Sequence, residues 1–132
     1  MEIQVQMVAW CSEYDVPAEI VLGCIERESQ FDRYAMSKDC VGYMQINVRN
    51  LGWLNKEIGV TDLYDPAQNI HAGTFMLGNL YEKYGDWHMA LVCYNYGEFG
   101  AQQNVFSKGY TGTAYSHGVL ENAERWRELV AE

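Results

Sequence analysis

Residues 18–31 read AEIVLGCIERESQF, and the spacing of their apolar positions decides the fold. Ile20, Val21, Cys24 and Ile25 recur at the interval of a helix with one buried face. At about 100° per residue, Glu28 returns nearly in line with Val21 and beside Cys24 and Ile25, whereas Glu26 projects well away from that stripe. A carboxyl on the apolar face loses hydration, so its neutral form is favoured and its pKa is expected to rise above the ordinary ~4.3. A general acid working near neutral pH has that requirement. The same position also suits a plain carboxylate satisfied at a helix end by Arg27, Arg33 or a backbone donor, and periodicity does not separate the two.

Working outward, Ile3, Met7, Val8 and Cys11 predict an opening helix over residues 3–14. Asp15 then offers an N-cap, with Pro17 in the first turn of the next helix. Downstream, residues 29–61 read as loop and short elements, punctuated by Gly42, Gly52 and Gly59, with Tyr43, Met44 and Ile46 as an apolar cluster. Asp65-Pro66 predicts a cap and first turn for a long helix through Ile70, Phe75, Met76, Leu80 and Tyr81 that stops at Gly85. Asp86 caps a further helix, apolar nearly all round at Met89, Ala90, Leu91, Cys93 and Tyr94, and therefore central and buried. Residues 97–112 are rich in Gly, Gln, Asn and aromatics, a composition suited to a mobile rim around a cleft. Val119, Ala123, Trp126 and Val130 form the stripe of a closing helix. The expected fold is mainly α, one domain over residues 1–132 with at most a minor β element.

The composition fits that picture. With 48% hydrophobic and 20% charged residues, the chain has the balance of a globular domain. Its formal charge of −9 argues against nonspecific attraction to nucleic acid or anionic membranes. No apolar run reaches the ~20 residues that span a bilayer, and Met1-Glu2-Ile3-Gln4 lacks the pattern of a signal peptide. Cys11, Cys24, Cys40 and Cys93 show no CxxC spacing, so a zinc cluster with His71, His88 and His117 is not expected. Cys11, Cys24 and Cys93 read as core residues and Cys40 as an exposed loop thiol, while free thiols and the three complete pairings stay open.

Five ordered motifs carry a resemblance: Glu28-Ser29-Gln30-Phe31, Ala35-Met36-Ser37, Gly42-Tyr43-Met44-Gln45-Ile46, Asp65-Pro66 with Asn69-Ile70 and Gly73, and Tyr94-Asn95-Tyr96-Gly97. Together they resemble the soluble lytic transglycosylase family, relatives of goose-type lysozyme, over residues 8–120. The resemblance implies a lysozyme-like fold whose cleft holds alternating N-acetylglucosamine and N-acetylmuramic acid, without metal or cofactor. It makes Glu28 the sole essential acid and base. Ser29, Met44, Gln45, Tyr94 and Asn95 match positions that shape the site or bind substrate, and Tyr115 matches a Tyr, shortly before the last helix, that hydrogen-bonds the catalytic Glu. The family's Gly-Leu-Met-Gln stands here as Gly42-Tyr43-Met44-Gln45, and the Ala of its Ala-Tyr-Asn as Cys93. Asp39-Cys40-Val41 stands where small neutral residues are usual, which puts an acid not far from Glu28 in sequence.

Three functions are therefore weighed. The first is a lytic transglycosylase acting at the bacterial cell wall, its glycan strands the partner. The second is a hydrolysing muramidase in which Asp39 or Asp32 holds the attacking water. The third is a silent wall-binding module, disfavoured because binding alone needs no acid on an apolar helix face. With no wall anchor visible, targeting is expected from elsewhere, such as a phage particle or a secretion or conjugation machine.

Overall fold

The computed structural model describes residues 2–131, with side chains described as far as Leu129. Helix α1 (Ile3–Tyr14) buries Met7 and Cys11 and ends at Asp15, which adopts the left-handed conformation with φ 56° while its N–H returns to the Cys11 carbonyl. Asp15 therefore closes one helix and does not cap the next, contrary to the sequence reading; Asp is among the few residues that tolerate this backbone region. Helix α2 (Ala18–Ser29) starts from extended Pro17 with no side-chain cap. Val8 also departs from expectation: it is exposed, so the buried stripe of α1 is narrower than its apolar residues suggest.

The period of α2 is realised as read, with Ile20, Val21, Cys24 and Ile25 all buried. Its partner is the last helix, α7 (Ala114–Ala131). A Cβ on Gly23 would stand 2.6 Å from the Val119 carbonyl oxygen, so only glycine lets the two backbones touch. Val119 and Ala123 fill the seam and Trp126 is half-buried beside it. The side chain of Val130, the last of the expected stripe, lies outside the described residues.

Residues 29–61 hold more structure than their pattern reveals. Two-residue strands β1 (Met36–Ser37), β2 (Cys40–Val41) and β3 (Ile46–Asn47) make an antiparallel sheet in chain order. Met36 pairs with Val41, which in turn pairs with Ile46. A 3-10 turn (Val48–Asn50) leads into α3 (Leu51–Ile58), which buries only Leu54 and so offers little periodic signal. Helix α4 (Pro66–Tyr84) opens as predicted, with the Asp65 carboxylate accepting the Gln68 N–H at 2.9 Å. Helix α5 (Trp87–Tyr96) opens likewise on Asp86, which accepts the Met89 N–H at 3.0 Å, and it buries Ala90 through Cys93.

Residues 97–112 reach the cleft wall at Gly97 and Glu98, but much of the stretch is regular structure that its composition did not announce. They form α6 (Glu98–Asn104) and a 3-10 turn (Phe106–Lys108), and Ala101 and Val105 close a small second core with Val92 and Cys93. Cys11, Cys24 and Cys93 are buried, Cys40 is half-buried in β2, and all four are free thiols. Among the described residues no helix is long and apolar enough to cross a membrane.

Candidate active site

The last turn of α2 delivers Glu28 to the wall of a cleft of about 830 Å³, which is also lined by Asp39, Gln45, Tyr94 and Asn95. The face of α2 that fills the core ends here, so Glu28 is half-buried at the boundary between core and cleft. Burial pushes its carboxyl above the ordinary glutamate range, opposed by the Tyr115 hydroxyl and the Arg27 charge. The Tyr115 hydroxyl donates to Glu28 Oε2 at 2.7 Å. Tyr115 is itself buried and its own pKa stands well above the ordinary value, so it remains a neutral donor. It sits in the first turn of α7, within the last helix and not ahead of it. The Cys24 thiol lies 3.5 Å from the same hydroxyl, and Arg27 stands over the Tyr115 ring at 5.7 Å. Glu28 forms no ion pair with Arg27 or Arg33 among the described residues, which removes the simplest alternative for a carboxylate at this helix end.

The turn between β2 and β3 faces Glu28's helix and is pinned from three sides. From α2, Ser29 Oγ donates to the Tyr43 carbonyl at 2.8 Å. From α4, the fully buried Asn69 accepts the Met44 N–H at 2.8 Å and donates to the carbonyls of Val41 and Leu63 at 2.8 and 2.9 Å. From α5, the Tyr94 hydroxyl donates to the Met44 carbonyl at 2.7 Å. Met44 is also fully buried, and a Cβ on Gly73 would stand 2.4 Å from its sulfur, so α4 must be bare at that point. These contacts hold Gln45 in a left-handed conformation, φ 51°, with its side-chain amide donating to the carbonyls of Ala35 and Gly42, both at 2.9 Å. A non-glycine residue in that region persists only where its surroundings over-determine it, as they do here.

The sequence-selected residues thus fall into three groups. Glu28, Gln45, Tyr94, Asn95 and Asp39 line one cleft; Tyr115 bonds Glu28; Ser29 and Met44 lie off the wall and act through backbone contacts and packing. Asp39 is exposed in the β1–β2 turn. Asp32 is not part of the cleft wall; its carboxylate accepts the Tyr34 N–H at 2.9 Å in a local turn. The pinning role of Asn69 escaped sequence reading, although one signal was present: an amide on the same helical stripe as Ile70, Gly73 and Leu77. Trp53 and Glu98 on the wall were also missed, because α3 and α6 were not recognised, and so were Asn79 and Lys83, which stand off the apolar positions that marked α4.

These features define a mainly helical domain whose cleft presents a half-buried acid, Glu28, with no ion-pair partner among the described residues. Residues 7–116 match the Transglycosylase SLT domain, and the chain belongs to that family. It is 31% identical over 102 residues to a transglycosylase of Enterobacteria phage PRD1, a match that takes in 76% of this chain and 37% of that protein. It is 37% identical over 79 residues to the membrane-bound lytic murein transglycosylase C of Glaesserella parasuis, over 54% of this chain and 22% of that protein. A third relative, the enzyme of the same name from Histophilus somni, is 33% identical over 81 residues. The chain therefore spans little more than a third of the phage relative and about a fifth of the others.

Proposed function

We propose that residues 1–132 are a lytic transglycosylase domain that cleaves the β-1,4 bond between N-acetylmuramic acid and N-acetylglucosamine in peptidoglycan. The observation that carries this reading is the Glu28–Tyr115 pair at the cleft wall of a chain in the SLT family. Glu28, whose carboxyl burial pushes above the ordinary glutamate range, gives its proton to the glycosidic oxygen as the bond to the anomeric carbon breaks. The muramic acetamido oxygen stabilises the cationic carbon, the step that a second carboxylate performs in most glycosidases. The Glu28 carboxylate then accepts the proton of the sugar's 6-hydroxyl, whose oxygen attacks the anomeric carbon and closes a 1,6-anhydro ring. Water is not consumed, and neither metal nor cofactor is needed. Tyr115 orients the acid, while Gln45, Tyr94 and Asn95 shape the wall that holds the strand. The domain acts at the bacterial wall, and the similarity to a phage transglycosylase supports delivery by a particle.

A hydrolysing muramidase is the second reading, favoured by one observation: Asp39 lines the same cleft as Glu28. Digestion of purified peptidoglycan in ¹⁸O-labelled water, read by mass spectrometry, separates the two. The expected products carry 1,6-anhydromuramic ends without label, and Asp39→Asn retains most of the activity. Labelled reducing ends together with an inactive Asp39→Asn variant would establish the hydrolase instead.

A further inference from the structure

Trp53 is exposed to 42% of its surface on the cleft wall, in a helix that buries only Leu54. Leaving indole surface in water forgoes the free energy that its burial would release. The ring is nevertheless firmly backed. It packs on Phe75 of α4 with centroids 5.5 Å apart, and Phe75 meets the Tyr14 ring edge-on at 5.4 Å. Tyr14 is fixed in turn by a 2.7 Å hydrogen bond to His71, which stacks on Trp10 at 4.6 Å and 4°. A row of aromatic rings from α1 through α4 therefore supports the indole from behind and holds it at the cleft.

The surroundings of the ring select a ligand chemistry. On the same wall, Met76 and Leu80 extend the apolar surface, and Asn47, Asn50 and Asn79 supply amide donors and acceptors. A pyranose ring has the matching pattern, an apolar C–H face bordered by hydroxyl and acetamido groups. We infer that Trp53 is a stacking platform for an N-acetylhexosamine ring of the bound strand, and that it sets the affinity for extended glycans. This rests on the peptidoglycan reading above and assigns Trp53 a part in it.

Calorimetric titration with chitohexaose, a soluble β-1,4 N-acetylglucosamine oligomer, tests the inference in a Glu28→Gln background where the probe is not cut. Trp53→Leu keeps an apolar side chain against Phe75 and removes the flat ring; it is expected to weaken chitohexaose binding about tenfold, and Trp53→Tyr to recover most of that loss. Circular dichroism checks that each variant folds. Were Trp53 only packing for α3, Leu would serve as well as Tyr. Binding within twofold of the parent in a folded Trp53→Leu variant overturns the inference, as does a parent that does not bind chitohexaose. If Trp53→Leu fails to fold, Trp53→Tyr decides alone: affinity within about threefold of the parent supports the platform, and a larger loss overturns it. Failure of the peptidoglycan reading has a separate signature, an unmutated protein that leaves purified walls uncut.

Discussion

Two carboxylates on α2, two residues apart, meet opposite fates. Glu26 lies on the flank facing α7, where it pairs with Arg125 and accepts the Trp126 indole N–H at 2.9 Å. Glu28 lies on the core face at the cleft, where burial raises its pKa and a neutral Tyr115 hydroxyl is its side-chain partner. The residue type is the same and the helix is the same. What differs is the environment: Glu26 sits against a guanidinium and an indole N–H on a partly exposed flank, while a desolvated wall favours the proton on Glu28. On the proposed reading, acid function is thus a property of helical phase, set by the apolar period of α2.

The contrast breaks if the two residues respond alike to the same substitution. Glu28→Gln keeps the shape and removes the transferable proton; activity on purified walls, followed by turbidity, is expected to fall at least ~100-fold with the fold intact by circular dichroism. Retention of more than a few per cent sinks the assignment. Tyr115→Phe is expected to cost roughly tenfold in rate, the order of one buried hydrogen bond. It also carries a sign. The Tyr115 bond lowers the Glu28 pKa, so its loss raises that pKa further and moves the alkaline fall in activity, where the acid deprotonates, to higher pH. A pH–rate profile that shifts downward or stays in place contradicts this. The smallest effect belongs to Glu26→Gln. Its partner Arg125 is half exposed and the amide oxygen still accepts from Trp126, so thermal or denaturant unfolding is expected to register about 1 kcal/mol or less, with activity unchanged.

How much of this was legible depended on whether a segment announces itself by period. Helices α2, α4 and α5 did, through apolar spacing and through Asp65 and Asp86, which cap as their positions suggest. Helix α3 did not, because eight residues with one buried side chain make no stripe. Helix α6 buries only Ala101 within a Gly- and Gln-rich stretch and was equally silent. Asp15 misled because the same residue type favours helix starts and tolerates the left-handed backbone that ends helices. At the site, the phase of Glu28 was readable from α2 alone, and Tyr115 came only from the family resemblance. The pinning of the β2–β3 turn by Ser29, Asn69 and Tyr94 was not readable, since it depends on hydrogen bonds between residues up to 50 positions apart.

Burial shifts the Glu28 carboxyl toward its protonated form, and the most direct measurement of that shift is an NMR titration of its side-chain carboxyl carbon, assigned by comparison with Glu28→Gln. The expected midpoint lies above the ordinary glutamate value of 4.5 and moves higher still in Tyr115→Phe. A midpoint at or below 4.5 would mean that the charged form is the one this site stabilises, and Glu28 would then lack the proton its proposed chemistry requires.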